Sequence, residues 1–274
     1  MLVNEGAIAK TMVNPNPNIQ QEVIGLIPAG GQATRLSPLA GSKELFPVGF
    51  QTASDGSLRP KVVSHYLLEK MRLAGIRRAY FVLRSGKWDI PNYWEDGTLV
   101  NINLGYAIVR LPYGVPYTLD AAYSFVQNAV VALGFPDILF EPDDVYRRLL
   151  AHLSDSAADV VLGVVRVEQP DKSGMVDIDE IGCVRSIVEK PQQSDLSYGW
   201  FTAVWIPSFT EFMHQYLMAL ELPTQEILLA DIMQAAIASG LRIEVEIFDN
   251  GSFLDIGTSE GLVQALRQSV DRLG

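Results

Sequence analysis

Short apolar runs alternate with stretches of helical periodicity along most of this chain. The run VIGLIP (residues 23–28) is apolar on both faces and predicts a buried parallel strand. Residues 60–74 place Val63, Tyr66, Leu67, Lys70, Met71 and Ala74 at helical spacing, with Pro60 suited to the start and Gly75 to the end. Strands are predicted over 76–83, 104–111 and from 130 to about 140, with helices over 87–95, 118–128 and 144–153 between and after them. Thr118 is read as the N-cap of the second of these helices. A strong strand follows at 159–167.

The pattern then changes. Three strands, over 174–178, 182–189 and 200–206, are joined by turns in an antiparallel manner. Helices at 208–220 and 226–239, strands at 241–248 and 252–255, and a closing helix over 258–273 with Thr258 as N-cap complete the chain. Alternating strands and helices predict an α/β fold, a Rossmann-like, mixed and mostly parallel sheet flanked by helices. No Pro/Ser/Gly-rich linker interrupts it, so residues 22–274 read as one domain with two lobes meeting near residue 167. Residues 1–21, with their Asn-Pro-Asn-Pro-Asn run, read as a flexible lead-in. Asp55-Gly56 predicts a tight hairpin turn within residues 49–59.

Composition narrows the partners. Lys and Arg number 21 and Asp and Glu 32 among 274 residues, a net charge of −11. Such a surface repels duplex nucleic acid and anionic membranes. An anionic ligand must therefore meet a local group of cations. Cys183 stands alone, which excludes a disulfide framework and a cysteine zinc cluster. No run of 18 apolar residues suggests a membrane span and the N-terminus lacks a signal-like apolar core, so a cytoplasmic protein is expected.

The candidate chemistry begins just after the first strand. Ligands of open α/β sheets bind at the C-terminal ends of parallel strands. There the loop AGGQATRLSP (residues 29–38) has adjacent glycines, which let backbone N–H groups approach phosphate oxygens. Arg35 can add a bidentate phosphate contact and Lys43 a mobile point charge. The loop is neither a Walker loop nor the dinucleotide fingerprint. Asp137 and Asp255 each sit among apolar neighbours at the end of an apolar run, a costly place for an unpaired carboxylate. With a phosphate loop nearby, the pair suits a Mg²⁺ site.

Taken together, AGGQATRLSP and SKELFPVG resemble the signature of the sugar-1-phosphate nucleotidylyltransferases, especially the glucose-1-phosphate thymidylyltransferases and UTP–glucose-1-phosphate uridylyltransferases. Four further segments match in the family's order: GFPDILF (134–140), SGMVDIDEIGCVRSIVEKP (173–191), WFTAVWI (200–206) and FLDIGT (253–258). The resemblance implies the family's fold, with a nucleotide lobe up to residue 167 and a sugar lobe from 168. It implies a Mg²⁺-dependent reaction of a nucleoside triphosphate (dTTP or UTP) with a hexose 1-phosphate (glucose). It makes Arg35, Lys43 and Asp137 catalytic, and Asp137 and Asp255 the metal ligands. Ala29, Gly30, Gly31, Thr34, Tyr117 and Thr118 become the nucleotide site. Gly174, Glu189, Lys190 and Thr202 become the sugar-phosphate site. It also implies a homo-oligomer.

Several positions depart from the family pattern. Ala33 takes the place of the third loop glycine, Pro136 and Ile138 flank Asp137 in place of glycine and asparagine, and Ala203 and Ile256 replace glycine and threonine. The family's base-recognition segment, Gln-x-x-x-x-Gly, is read here with Tyr117 at its glycine and no preceding glutamine. Two alternatives therefore stand beside the leading one: another base or sugar, or a binding protein that has kept the fold without catalysis. The four tryptophans, Trp88, Trp94, Trp200 and Trp205, are assigned to the core or the lobe interface.

Overall fold

A computed structural model describes residues 21–53, 55–110, 113–221 and 225–271. The lead-in expected over residues 1–21 lies outside them but for its last residue. The described residues begin with β1 (Val23–Ala29), a hairpin of β2 (Pro47–Thr52) and β3 (Leu58–Val62), then α1 (Val63–Leu73), β4 (Arg78–Arg84), α2 (Asp89–Trp94) and β5 (Asn103–Val109). Next come α3 (Val115–Asp120), α4 (Tyr123–Val126), β6 (Val130–Leu133), β7 (Ile138–Glu141), α5 (Val145–Asp155) and β8 (Val160–Arg166). The rest is β9 (Gly174–Ile178), β10 (Val184–Glu189), β11 (Tyr198–Trp205), α6 (Pro207–Ala219), α7 (Leu229–Ala238), β12 (Ile243–Ile247), β13 (Ser252–Asp255) and α8 (Ser259–Asp271).

Nine strands form one sheet that runs through both halves of the sequence. β5, β4, β1 and β6 lie side by side in parallel, and β12 runs parallel to β8. β11 is antiparallel to β6, β8 and β9 and joins the two halves. Parallel strands buried on both faces must be apolar on both. β1 obeys this rule: Ile27 and Ala29 enter a first core cluster and Ile24 and Leu26 a second. Helices α1 and α5 supply the first cluster with Leu67, Met71 and Leu149, and α6 and α7 supply the second with Phe209, Met213 and Ile232. A small third cluster seats α8 through Ala265 against Val48, Val63 and Ile256.

Three expected helix boundaries shift. Pro60 does not open a helix; it sits in β3, paired with Phe50 on a two-stranded ribbon where its missing N–H costs little. Thr118 does not cap its helix, which starts three residues earlier after Gly114; the Thr118 hydroxyl instead donates 3.0 Å back to the Gly114 carbonyl. The helix expected from residue 226 begins at Leu229. Thr258 does cap α8: its Oγ1 accepts the Gly261 N–H at 3.1 Å. Likewise, the strand expected to run from 130 to about 140 breaks into β6 and β7, and the break holds Asp137.

On the back of the sheet, His152 of α5 lies between two carboxylates of β12, 2.9 Å from Glu246 Oε2 and 2.8 Å from Glu244 Oε2. Burial depresses its pKa, but hydrogen bonds and charge from the two glutamates outweigh burial and hold it above the ordinary 6.5. A raised folded-state pKa means that the protonated ring stabilises the fold. That contribution is complete below the unfolded value of about 6.5 and is lost as pH rises through the folded value. The melting-temperature gap between the wild type and His152→Gln is thus expected to be widest in mild acid and to close in mild alkali. A gap that does not vary with pH would remove this role from His152.

Candidate functional site

The main cleft opens where strands part. Along one edge β11 pairs with β6 through residues 203–205 and with β9 through residues 198–200, while its other edge follows β8 with an irregularity between Trp200 and Thr202. β6 and β9 therefore diverge, and a cleft of about 610 Å³ lies between them, over the C-terminal end of β1. Crevices of this kind are where open α/β sheets take ligands. The loop after β1 brings Gly30, Gly31, Thr34 and Arg35 to one wall, and β9, the end of β10 and the residue after it bring Gly174, Glu189 and Lys190 to the other. Lys43, Asp137 and Asp255 line the same cleft.

These three side chains converge on Gly257. A methyl placed there would fall 2.8 Å from Asp255 Oδ1, 3.4 Å from Asp137 Oδ2 and 3.5 Å from Lys43 Nζ. Lys43 Nζ is ion-paired with Asp137 Oδ2, and Asp255 Oδ1 accepts the Gly257 N–H at 2.7 Å. Burial pulls the Lys43 pKa down, but the charge and hydrogen bond of Asp137, with smaller help from Glu44 and Asp255, leave it raised. The lysine therefore stays an ammonium across the neutral range. Gly257→Ala would push the Asp255 carboxylate out of place while touching little else. It is expected to cut turnover roughly 10²-fold, the usual cost of misplacing one charge-stabilising group, with a nearly unchanged melting temperature. Parallel losses of stability and turnover would deny Gly257 that role.

A buried ion pair holds the turn that carries Lys43. Glu44 is 1% exposed and Lys87 5% exposed, and Lys87 Nζ donates 2.6 Å to Glu44 Oε1. Burial pushes the Glu44 carboxyl up and the Lys87 ammonium down, so desolvation outweighs their mutual attraction on both sides. The pair ties the 3₁₀ turn Lys43–Leu45 to the β4–α2 connection. Ser42 adds two bonds to the start of α2, from its N–H (2.6 Å) and its hydroxyl (2.7 Å) to Asp89. Earlier in the loop, Ala33 adopts φ 53° and ψ 33°, the left-handed conformation that glycine takes without strain. At this departure from the family pattern the alanine methyl strains the backbone.

Not every expected site residue reaches the cleft. Ala29 is 1% exposed and belongs to the core. Thr202 is fully buried, its hydroxyl donates 2.6 Å to the Leu133 carbonyl, and it does not line the cleft. Tyr117 packs on the second core cluster, its ring edge-on to Tyr113 at 5.7 Å. The glycine at the start of this helix is Gly114, not position 117. Its φ of 107° requires a glycine, and a Cβ there would meet the Ile227 carbonyl at 2.1 Å. That contact draws the segment before α7 over the cleft mouth, where Glu226, Ile227 and Leu228 line it. Thr118 lies against Gly30, its Oγ1 3.3 Å from a methyl placed there. Lys190 has φ 45°, a strained value for a residue before proline, and its Nζ lies 3.5 Å from Glu189 Oε1.

Comparison with known proteins places this arrangement among relatives. The family model described as nucleotidyl transferase matches residues 24–272. The nucleotidyltransferase Agl11 of low-salt glycan biosynthesis from Haloferax volcanii is 25% identical over 251 residues, which cover 88% of this chain and 64% of that one. The chain thus spans under two thirds of this relative. The glucose-1-phosphate thymidylyltransferase of Neisseria gonorrhoeae is 28% identical over 247 residues, covering 88% of this chain and 80% of that one. Among solved structures, a UDP-glucose pyrophosphorylase complexed with UDP-glucose superposes with a TM-score of 0.75 at 18% identity, over 92% of this chain and all of that one. UTP-bound UGPase from Acinetobacter baumannii gives 0.74 at 20% identity, over 90% and 93% of the two chains. At such identities the two structures speak for the fold.

Proposed function

The chain belongs to the nucleotidyl transferase family, and from that premise we propose that it joins a nucleoside triphosphate to a hexose 1-phosphate, giving a nucleotide sugar and pyrophosphate. The observation that carries this reading is the meeting of a glycine loop, two cations and two carboxylates in one cleft whose far wall ends in Glu189 and Lys190. dTTP or UTP is the favoured triphosphate and glucose 1-phosphate the favoured sugar, in keeping with the names of the relatives and structural neighbours.

In this reading a sugar-phosphate oxygen attacks the α-phosphorus. The bond between the α-phosphorus and the bridging oxygen breaks, and pyrophosphate leaves with that electron pair. The nucleophile is already an anion and needs no base, so the protein contributes position and charge. Arg35 holds the leaving phosphates at the loop. Lys43 neutralises charge at the α-phosphate. Lys190 holds the sugar phosphate and Glu189 accepts hydrogen bonds from sugar hydroxyls. The base takes the part of the cleft lined by Gly30, Gly114 and Thr118. Tyr117 stands away from this space, so it does not favour a protein that binds without turnover.

The donor set at Gly257 fits Mg²⁺. Asp137 Oδ2 and Asp255 Oδ1 both come within 3.4 Å of one point beside Gly257, and Mg²⁺ commonly takes one or two carboxylates and fills its shell with substrate phosphates and water. When bound it would neutralise charge on the phosphates. The nucleotide lobe is assigned to residues 22–167 and the sugar lobe to 168–274.

The test is pyrophosphate release over a grid of five nucleoside triphosphates against the 1-phosphates of glucose, galactose, mannose and N-acetylglucosamine. One dominant combination, abolished by EDTA, is expected. A folded protein that is silent across the grid would sink the proposal.

A further inference from the structure

Trp200 has a feature that packing does not explain. It is 9% exposed, and its indole N–H is buried without a hydrogen-bond partner in a region that is otherwise well paired. A buried donor left unpaired is costly, and a native fold rarely keeps one without a use. The indole also lines the cleft, beside Phe135, whose ring lies 5.9 Å away.

The sheet register explains how the donor is aimed. Gly174 of β9 is paired with Glu189 on one side and with Trp200 on the other. Directly opposed residues of antiparallel strands project from the same face. Glu189 and Trp200 therefore flank a position that has no side chain. A methyl on Gly174 would lie 2.3 Å from Trp200 Nε1 and 3.0 Å from Glu189 Oε2. Glycine at this position lets the indole lean toward the carboxylate, yet no hydrogen bond joins the two groups.

A neutral donor and an anionic acceptor facing one small space select the chemistry that can fill it. A phosphate or carboxylate would accept from the indole but be repelled by Glu189. An ether oxygen could accept but not donate. An alcohol does both: it accepts from the N–H and donates to the carboxylate. We infer that Trp200 and Glu189 together read one ring hydroxyl of the sugar, and that Trp200 is a specificity residue for the hexose 1-phosphate. This rests on the function proposed above and adds to it a residue whose place in the sequence suggested only packing.

The experiment compares the hexose 1-phosphate that turns over with its monodeoxy analogues, in the wild type and in Trp200→Phe, which keeps an aromatic ring and removes the donor. The wild type should reject one analogue by roughly 10- to 100-fold in kcat/KM, the cost of leaving buried polar groups of the site unpaired. Trp200→Phe should lose a similar factor on the parent sugar through its KM, with the KM of the triphosphate unchanged. It should lose almost nothing on that one analogue. A uniform loss across all the sugars, or no loss, overturns the inference. If Trp200→Phe does not fold, Glu189→Gln takes its place, and the same single analogue must be the one whose penalty shrinks. If no pair of substrates turns over, the proposed reaction fails, and calorimetry with the same sugars still decides. Binding that drops for one deoxy sugar supports the hydroxyl reader; equal binding, or none, overturns it.

Discussion

Lys43→Ala is expected to lower turnover roughly 10³-fold, or about 4 kcal/mol of transition-state stabilisation, while the fold survives. The magnitude follows from where the charge sits. Phosphoryl transfer to an anionic nucleophile gathers negative charge at one phosphorus, and the protein can help chiefly by placing positive charge there in advance. The Lys43 ammonium is held at the meeting point of Asp137 and Asp255, with a raised pKa that keeps it charged. Its anchor is independent of its own side chain, because the turn is tied down by Glu44 to Lys87 and by Ser42 to Asp89. Lys43 belongs to none of the three core clusters. Its loss should therefore move the melting temperature by only about 2–4 °C, as a change of ~1 kcal/mol does in a domain of this size. Lys43→Arg keeps the charge on a longer, planar group and should recover little turnover. Proportionate losses of activity and stability in Lys43→Ala would show that the lysine serves the fold instead.

Most strands of the main sheet were legible because buried parallel strands leave continuous apolar runs in the sequence, as in β1, β4 and β8. The separated parts of the candidate site were legible because charge stood out against that background at Arg35, Lys43, Asp137 and Asp255. What could not be read depends on the backbone or on burial. Helix α3 starts just after Gly114 because of a positive φ there, and the more obvious cap, Thr118, misled. The pair of Glu44 and Lys87 could not be seen, since charged residues are usually exposed and nothing in the sequence around either marks it as buried. Trp200 reads as any large apolar residue of a strand. Only the register across Gly174 shows that its N–H is left facing a carboxylate in the cleft.

Asp137→Asn and Asp255→Asn are each expected to cost roughly 10³-fold in turnover, by a different route from the lysine. Among the described residues, no cluster of three or more acidic, histidine or cysteine groups could hold a cation by itself. Two carboxylates alone make a weak site, completed only when a triphosphate brings its own oxygens. The nucleotide-free protein should therefore bind Mn²⁺ or Mg²⁺ poorly, and the nucleotide should improve that binding. The ion pair adds a second consequence. Lys43 already sits on the Asp137 carboxylate, and an ammonium and a metal cation compete for one anion. Removing the ammonium uncovers a carboxylate next to a second one. Lys43→Ala should thus bind Mn²⁺ more tightly than the wild type in the absence of nucleotide, even as its turnover collapses, whereas Asp137→Asn should lose both. A general loss of structure cannot move metal affinity up in one variant and down in the other. Calorimetric titration of the two proteins with Mn²⁺ reads the signs directly. An affinity unchanged by Lys43→Ala would rule out the competition, and full turnover in Asp137→Asn would remove that carboxylate from the site.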